Sequence, residues 1–444
     1  MPSTFTDHAL VPDATRSHVL VFDPDGAAPT LPSWSLFDPE AVDSIREARR
    51  LFGIGSPFLR VLRLEGDFIH DEPVDQLLEF DAIAAEWSPP DGAQWLPISD
   101  LSRLNLASPV FAPALARWSE ELRSGEVPPR RAAWARPGWH EATAAWLDGE
   151  LRRHGLTATG FVEQLGSWPI SSLLAADTDG GRVVLKSVPQ MFGHEPRLTQ
   201  ALAAEHPDTI PRVLAVEPER RHLLMAAFGG APLGAEDASQ WAEGLRQLAV
   251  IQRAWIGRRE EAIAFGVADR TPAGLDAEID SIVTDEAAAP GLDDARRERL
   301  IAHLPQFHAL IRELRAGPIP ETLVHNDFHP WNVQRDDGRL VIFDWSDASW
   351  GHPFFDVVTF TERTRDEAAR ETMRGEYLKA WADHADQSVL RELLVRAELL
   401  AELQISLAWR RLQAIFEPDG AFPFVDTGVE RHLEAALTAA ERLS

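Results

Sequence analysis

The chain has 444 residues, of which 45% are hydrophobic and 25% charged, values typical of a globular protein with two or three domains. Because Lys and Arg total 43 against 70 Asp and Glu, the formal charge of −27 excludes a nucleic-acid partner, which needs a basic face. Such an acidic surface is either simply solvated or a funnel for a cationic substrate. The chain has no cysteine, so disulfides, thiolate metal sites and a cysteine nucleophile are excluded.

The sequence shows no pattern typical of a secretory signal or a membrane span. Residues 1–16 are polar and acidic and lack the apolar stretch of a secretory signal, so we expect a cytoplasmic protein. No apolar run reaches the length of about 18 residues that a membrane span needs, and we therefore expect no membrane association.

The first region has the pattern of a small α/β unit. Residues 18–22 (HVLVF) are strand-like, residues 39–52 have a helical pattern closed by glycine, and strand-like patterns follow at 58–66 and 77–84. The segment 124–137, rich in Pro, Arg and small residues, is typical of a linker.

After this linker the pattern becomes β-rich and then α-rich. A helix is predicted over 138–155, followed by strands at 160–164, 171–176 and 182–188. Beyond Leu233 long amphipathic helices dominate, which predicts an α+β fold with two lobes and a cleft between them. The predicted divisions are 1–130 (N-terminal α/β domain), 131–155 (linker and helix), 156–232 (small lobe) and 233–444 (helical lobe).

The densest chemical signal is the segment LVHNDFHPWNVQRDDGRLVIFDW, residues 323–345. A turn at Asp336–Gly338 folds the chain into a hairpin, which sets Asn332 beside Asp344. Their amide and carboxylate oxygens are ligands suited to Mg²⁺, which also keeps waters and phosphates in its shell. Asp327, on the preceding loop, is then free to accept a proton from an incoming hydroxyl.

This spacing, seen in HNDFHPWN and VIFDW and followed by GHPFFDV at 351–357, resembles the aminoglycoside phosphotransferase and choline kinase-like family. The resemblance implies a bilobal protein-kinase-like fold over about 156–444, with ATP and Mg²⁺ as cofactors. It implies that Asp327 is catalytic, that Asn332 and Asp344 bind the metal, and that His325 and Asp356 support the catalytic loop and the following helix.

The resemblance extends to a phosphate-binding lysine. Lys186, one of only two lysines, stands on the third strand of the small lobe in GRVVLKSVP, where the family's lysine holds the phosphates. Glu195 on the next helix is its expected ion-pair partner, with Glu205 as the alternative. Residues 166–172 fit the turn that covers the phosphates, although they lack repeated glycines.

Two further groups of residues are expected to contact small molecules. The segment 221–230 resembles the family's adenine-binding hinge, which implies contacts from Met225, Ala227 and Phe228, with plain lobe linkage as the alternative. The acceptor pocket is expected near the metal residues, with Trp331, Trp345, Asp347 and Trp350 as candidate lining residues. For each of the three tryptophans, simple core packing is an equally good explanation.

The N-terminal region resembles a degenerate Nudix domain. REARRLFGI (46–54) aligns with the Nudix box and WLPISDL (95–101) with a segment that often follows it. Arg50 and Leu51 stand where two metal-binding glutamates are required, so we expect no hydrolysis of nucleoside diphosphates there. The upstream positions of the box fall on Pro32 and Asp38. An unrelated α/β cap domain is the alternative for this region.

The sequence therefore predicts an enzyme that transfers the γ-phosphate of ATP to a hydroxyl group of a small molecule. A sugar, amino sugar, aminoglycoside, choline-like amine or hydroxyl-bearing antibiotic all remain open as acceptor, and the acidic charge favours a cation. The insertion 262–314 is expected to shape the acceptor site. The alternative function is a nucleotide-binding sensor or scaffold pseudoenzyme.

Overall fold

The computed structural model describes residues 4–23, 28–37, 41–66, 72–417 and 427–442. Packing divides the chain into two compact units: unit 1 comprises 1–189 and 416–423, and unit 2 comprises 190–415 and 424–444. Unit 1 is thus discontinuous in sequence, since a short segment from the far end of the chain returns to it. The division at 189 falls inside the predicted small lobe, 156–232, and that domain division stays a prediction.

The N-terminal part of unit 1 is built on a mixed sheet. Its elements are β1 (Thr4–Leu10), β2 (His18–Phe22), β3 (Ser33–Phe37), α1 (Ala41–Phe52), β4 (Phe58–Glu65), β5 (Val74–Phe80), β6 (Ala93–Pro97) and α2 (Phe111–Ser124). The sheet order is β3-β1-β5-β4, with β1 parallel to β5 and the other pairs antiparallel, while β2 pairs antiparallel with β6. The predicted strand at 18–22 and helix ending at 52 are confirmed.

Both faces of this sheet are buried, because successive side chains of a strand point to opposite faces. Leu77 of β5 packs with Phe111 and Trp118 of α2 in one apolar cluster. The next residue, Leu78, packs in a second cluster that includes Ala48 of α1. The sheet therefore lies between two apolar layers, each covered by a helix.

A partly buried ion-pair network ties the returning C-terminal segment into unit 1. Arg60 contacts Glu79 at 2.6 Å and Glu121 at 2.9 Å. Arg131 contacts Glu121 at 2.8 Å and forms a two-point contact with Glu417. Because charges buried in this way are stable only as a complete set, loss of one member is costly.

The rest of unit 1 is a helix followed by antiparallel strands. These are α3 (Trp139–Arg153), β7 (Glu163–Trp168), β8 (Ser171–Thr178) and β9 (Gly181–Ser187). The helix and the last two strands agree with prediction, whereas β7 lies a few residues later than the predicted 160–164. Trp168 pairs with Ser171, so the segment 166–172 is the turn of a hairpin.

Unit 2 is mainly helical, with short strands between the helices. Its elements are α4 (Glu195–Glu205), β10 (Val213–Glu217), β11 (His222–Ala226), β12 (Ala231–Pro232), α5 (Ala242–Ala254), α6 (Arg259–Phe265), β13 (Ala268–Asp269), α7 (Pro272–Thr284), α8 (Asp294–Ala316), β14 (Thr322–Val324), β15 (Val333–Asp336), β16 (Arg339–Ile342), β17 (Ser349–Gly351), α9 (Phe354–Thr361), α10 (Glu367–Lys379), α11 (Gln387–Gln413) and α12 (Gly428–Glu441).

One continuous apolar core holds unit 2 together, and most of its helices contribute buried apolar side chains to it. Trp255, Phe307, Tyr377 and Trp381 are among its fully buried side chains. Over the described residues, no helix is both long and apolar enough to cross a membrane.

Candidate active site

A tight hairpin positions the predicted metal ligands. β15 and β16 pair antiparallel, with Val333 opposite Ile342. The turn uses left-handed backbone at Asp337 (φ 47°) and Gly338 (φ 83°). The N–H of Phe343 donates to the oxygen of Asn332 at 3.1 Å, so Asp344 directly follows the residue opposite Asn332. The predicted proximity of Asn332 and Asp344 is therefore what the hairpin produces.

The Asp327 carboxylate is oriented by the side chain of Asn332. Nδ2 of Asn332 donates to the backbone oxygen of Asp327 at 2.9 Å and to its Oδ2 at 3.2 Å. Asn332 is buried, whereas the side chain of Asp327 is 46% exposed. The carboxylate is thus fixed in direction yet open to an incoming molecule, and the amide oxygen of Asn332 is the atom left for a cation.

Asp344 lies on strained backbone at the end of β16. Its φ of 64° and ψ of 61° are left-handed values that a non-glycine residue adopts at a cost of about 1–3 kcal/mol. The hydroxyl of Ser346 donates to its Oδ1 at 2.6 Å. Such strain persists where the surrounding loop enforces it, and it is concentrated at functional sites.

The carboxylate of Asp356 anchors the backbone of residues 325 and 326, on the loop that carries Asp327. Its carboxylate accepts the backbone N–H of His325 at 2.9 Å and that of Asn326 at 2.7 Å, and Nε2 of Gln252 at 2.9 Å. Burial raises the pKa of Asp356 to about 7, against the lowering effect of these hydrogen bonds. The sequence predicts that Asp356 supports the following helix as its cap, but it lies within the first turn of α9, where Pro353 is the N-cap residue. The carboxylate instead accepts hydrogen bonds from residues 325 and 326 and from Gln252 of α5.

His325 is fully buried beneath the same loop. Its Nε2 lies 3.0 Å from the oxygen of Phe343, and its ring centroid lies 4.7 Å from that of Trp345. Burial lowers the pKa of His325, so the ring is neutral near pH 7. These contacts agree with a supporting role, because they link the loop to the end of β16.

The sequence did not predict a role for Asn326 or Arg270, two side chains near the loop that carries Asp327. Asn326, on left-handed backbone with φ 63°, donates its Nδ2 to the oxygen of Asp347 at 2.8 Å and to Oγ of Ser349 at 2.7 Å. The buried Arg270 lies 3.6 Å from Oδ1 of Asp347. Burial raises the pKa of Asp347 to about 6, although Arg270 lowers it. Asn326 stands inside the motif, but nothing in the sequence pattern around Arg270 marks it.

The tryptophans near the site divide into two kinds. Trp345 is fully buried and Trp350 nearly so, which favours core packing over acceptor contact for both. Trp331 is 49% exposed and packs edge-on against Trp241, with ring centroids 6.2 Å apart. A Cβ added at Gly234 would lie 2.7 Å from the Trp331 ring, so glycine is needed beneath it.

The expected hinge follows β11. Met225 is buried within that strand, and Ala227 is exposed just after it. The ring of Phe228 packs against Phe343, with centroids 5.2 Å apart. Phe228 therefore touches the residue that precedes Asp344, while its role toward a nucleotide stays a prediction.

Lys186, the residue expected to bind phosphate, and Glu195, its expected ion-pair partner, are both buried. Lys186 lies on β9 in unit 1, and Glu195 is the first residue of α4 in unit 2. Glu205, the alternative partner of Lys186, forms a two-point ion pair with Arg258 at 2.7 and 2.8 Å. This pair disfavours Glu205 and leaves Glu195 as the expected partner.

Protein ligands alone do not form a complete metal site in the described residues. No group of three or more His, Asp or Glu side chains there could hold an ion. Asn332 and Asp344 offer two oxygen donors, which fits Mg²⁺, since this ion is commonly held by one or two protein groups plus substrate phosphates.

The segment that resembles a degenerate Nudix box, residues 46–54, lies largely on α1. Arg50 is exposed and pairs with Glu47 one turn earlier, and Leu51 is exposed beside it. Pro32 precedes β3, while Asp38 lies outside the described residues. The resemblance to a Nudix domain stays a prediction.

The comparisons bear on the region that contains these residues. The model of the phosphotransferase enzyme family, APH, matches residues 172–393, half of the 444-residue chain. No match was found among proteins of curated function.

Three solved structures are similar to the chain. A macrolide 2′-phosphotransferase from Brachybacterium faecium is 19% identical over 67% of this chain and 98% of its own, with a TM-score of 0.44. A choline kinase from Streptococcus pneumoniae is 15% identical over 68% and 99%, with a TM-score of 0.49. A putative aminoglycoside phosphotransferase from Ralstonia eutropha is 16% identical over 68% and 98%, with a TM-score of 0.45.

The loop and hairpin that carry Asp327, Asn332 and Asp344 lie within the matched region. The chain belongs to the phosphotransferase enzyme family. It is therefore an ATP-dependent phosphotransferase with an alcohol group as acceptor. The expected α+β fold class is confirmed.

Proposed function

We propose that this enzyme phosphorylates a hydroxyl group of a sugar, amino sugar, aminoglycoside or related metabolite. The observation that carries the proposal is the Asp327 carboxylate, which Asn332 orients through hydrogen bonds of 2.9 and 3.2 Å while it stays 46% exposed. A carboxylate held in this way accepts the proton of a hydroxyl as that hydroxyl attacks phosphorus.

Asn332 and Asp344 are the residues proposed to hold Mg²⁺. The fit is supported by their adjacency across the hairpin and by the strained backbone that fixes Asp344. When bound, ATP would supply the phosphoryl group and Mg²⁺ would neutralise part of the negative charge on the phosphate oxygens. Lys186 is proposed to add a positive charge at the phosphates, with Glu195 to orient it, and the segment 225–228 to receive the adenine.

Acceptor binding is assigned to the exposed surface beside Asp327. Trp331 offers an aromatic face, on which a sugar ring packs, and Asp347 offers a carboxylate. Asp327 gives this surface negative charge, which supports a cationic acceptor such as an amino sugar. Asp344 is proposed to bind Mg²⁺, and Asp347 lies 3.6 Å from Arg270. Trp345 and Trp350 are left out of this surface because they are buried.

The test is Mg²⁺-dependent release of ADP from ATP across a panel of sugars, amino sugars, amines, aminoglycosides and a macrolide. We expect one acceptor class to stimulate turnover, and Asp327→Asn to remove that stimulation by about 10²–10⁴-fold. ATP binding should persist in this variant, because Asp327 is proposed to act on the acceptor.

A matched control is Asp336→Asn, since Asp336 lies in the same hairpin but pairs with Arg339. Retained turnover in Asp336→Asn with loss in Asp327→Asn supports the assignment. Equal turnover in the wild type and Asp327→Asn would overturn it, and nucleotide binding without turnover for any acceptor would favour the sensor function.

A further inference from the structure

The strand that carries Lys186 belongs to the same compact unit as the N-terminal sheet. β7, β8 and β9 all lie in unit 1, which extends to residue 189 before the chain enters unit 2. Lys186 stands on β9, and β7 is the strand that leads into the turn at 168–171. Contacts within unit 1 therefore decide how this turn is held.

The turn at 168–171 lies at the end of β8 where Lys186 pairs. Ser171 is the first residue of β8, and Leu173, two residues later, pairs with Lys186. At about 3.3 Å per residue, the turn is thus about 7 Å along β8 from the partner of Lys186. The turn contains Pro169 and no glycine, so its backbone has little conformational freedom of its own. Its position depends on how the flanking strands are held.

Two buried side chains of β7 bond the backbone of β4, a strand of the N-terminal sheet. Oε1 of Gln164 accepts the N–H of Phe58 at 3.0 Å, and Nε2 of Gln164 donates to the oxygen of Phe58 at 2.7 Å. The hydroxyl of Ser167 donates to the oxygen of Leu59 at 3.1 Å. A register shift between Gln164 and Gly166 interrupts the alternation of side chains along β7, which allows both side chains to reach the same strand.

The two ends of β7 are held as well. Glu163 is its first residue, and Oε1 of Glu163 accepts Nε and Nη2 of Arg46 on α1 at 3.0 and 2.7 Å. Trp168 is its last residue, and its backbone oxygen accepts the indole N–H of Trp134 at 2.7 Å. Trp134 is buried in the segment between α2 and α3. Residues 46–134 thus hold β7 at its start, in its middle and at the residue where the turn begins.

We propose that the N-terminal sheet, together with Trp134, holds the turn at 168–171 in the position in which it covers the phosphates of ATP. This inference rests on the proposed function, in which Lys186 adds a positive charge at those phosphates. A turn that is already in its binding position need not be ordered when ATP binds, which reduces the cost of binding. Trp134 and Ser167 act on ATP through the backbone of the turn and are therefore positioning residues.

The test removes the indole N–H of Trp134 and keeps an aromatic ring in its place. Trp134→Phe should weaken binding of Mg·ATP to the full chain about 3- to 10-fold, the loss expected when one or two groups must be ordered on binding. Calorimetric titration with Mg·ATP measures this binding. Steady-state turnover should show a higher KM for ATP, while the KM for the acceptor stays within about 2-fold, because the turn is proposed to contact ATP alone.

Trp118→Phe is the matched control. Trp118 is a buried tryptophan of α2 whose indole N–H donates to Oε1 of Glu79 at 2.7 Å, so this substitution also removes one hydrogen bond. Urea unfolding should show lower stability for both variants, because each leaves an acceptor with one donor fewer. Only Trp134→Phe should bind Mg·ATP more weakly. Equal affinity for Mg·ATP in the two variants would show that Trp134 only stabilises unit 1, and would overturn the proposal.

Ser167→Ala provides a second test if Trp134→Phe does not fold, with an expected loss of affinity for Mg·ATP of about 2- to 5-fold. Lys186→Ala separates this inference from the proposed function. If Lys186→Ala loses Mg·ATP binding while Trp134→Phe and Ser167→Ala keep the wild-type affinity, only the positioning role is overturned. If the wild type does not bind Mg·ATP, or if Lys186→Ala binds it as the wild type does, the proposed nucleotide site is overturned and the positioning role with it.

Discussion

Asn332 donates one amide group to two oxygens of Asp327, the backbone oxygen at 2.9 Å and Oδ2 at 3.2 Å. The loop between them is therefore closed by a side chain from its own end. Because the nitrogen of the amide faces Asp327, its oxygen is directed away from that carboxylate. One residue thus connects the proposed base to the proposed metal.

Asn332→Ala should lower kcat by about 10²–10⁴-fold, since it removes the group that orients Asp327. The required Mg²⁺ concentration should rise in the same variant, because a proposed ligand is lost. Steady-state turnover against Mg²⁺ concentration measures both. Asn105→Ala, in unit 1, is the control, and a normal kcat for Asn332→Ala would contradict the role.

Asp344→Asn should raise the Mg²⁺ concentration for half-maximal activity at least 10-fold, because a neutral amide holds a hard cation less well than a carboxylate. The measurement is initial velocity at fixed ATP over a range of Mg²⁺. Asp336→Asn serves again as the matched change in the hairpin. An unchanged Mg²⁺ requirement for Asp344→Asn would show that the metal is held elsewhere.

Tyr377→Phe should lower the free energy of unfolding by about 1–3 kcal/mol. The hydroxyl of Tyr377 donates to Oε1 of Gln252 at 2.5 Å and lies 3.1 Å from the oxygen of Pro353. The substitution would leave these two buried oxygens without the hydroxyl as a hydrogen-bond donor. Since Gln252 in turn contacts Asp356, kcat should also fall a few-fold. Urea unfolding and turnover test these effects, and a variant with wild-type values of both would contradict them.

His352 should make the protein sensitive to acid. Burial lowers its pKa to about 3, so between pH 6.5 and about 3 the unfolded state binds a proton that the folded state does not. Its contribution is therefore fully present above pH 6.5 and is lost as the pH falls, at up to about 1.4 kcal/mol per pH unit.

His352→Asn removes this titration while it keeps an acceptor for the N–H of Phe354, which Nδ1 of His352 accepts at 3.3 Å. Unfolding free energies at pH 7.5, 6 and 5 should thus fall less steeply for this variant than for the wild type. Parallel curves would show that His352 does not titrate on unfolding.

Gly234→Ala should raise the KM for the acceptor and leave that for ATP within about 2-fold. The added methyl group would displace the Trp331 ring, which lies 2.7 Å from the position of such a Cβ. Trp331→Ala should have the same effect if the ring binds the acceptor. Trp87→Ala, a change at a partly exposed tryptophan of unit 1 outside every predicted site, is the control. A normal acceptor KM in both test variants would remove Trp331 from the acceptor surface.

The hairpin at 333–342 could be predicted because its determinants are local. Asp337 and Gly338 supply the turn, and the alternation of the flanking strands sets which residues face each other. The pairing of Asn332 with the end of β16 follows from that register alone.

The support beneath the loop could not be predicted, because its members are distant in sequence. Gln252 and Tyr377 reach Asp356 and Pro353 from α5 and α10, more than 100 residues apart from each other. Spacing likewise could not separate the buried Trp345 from the exposed Trp331, since both flank the hairpin. Exposure depends on the helices packed around them.

Glu417 completes a charge network whose other members, among them Arg60 and Arg131, belong to the first third of the chain. During synthesis, Glu417 is therefore added to unit 1 only after roughly 230 further residues have followed residue 189. At about 5–20 residues per second, this delay is on the order of tens of seconds. In that interval, of the described partners of Arg60 and Arg131, only Glu79 and Glu121 have been synthesised, so the charge network of unit 1 is complete only after nearly the whole chain has been made.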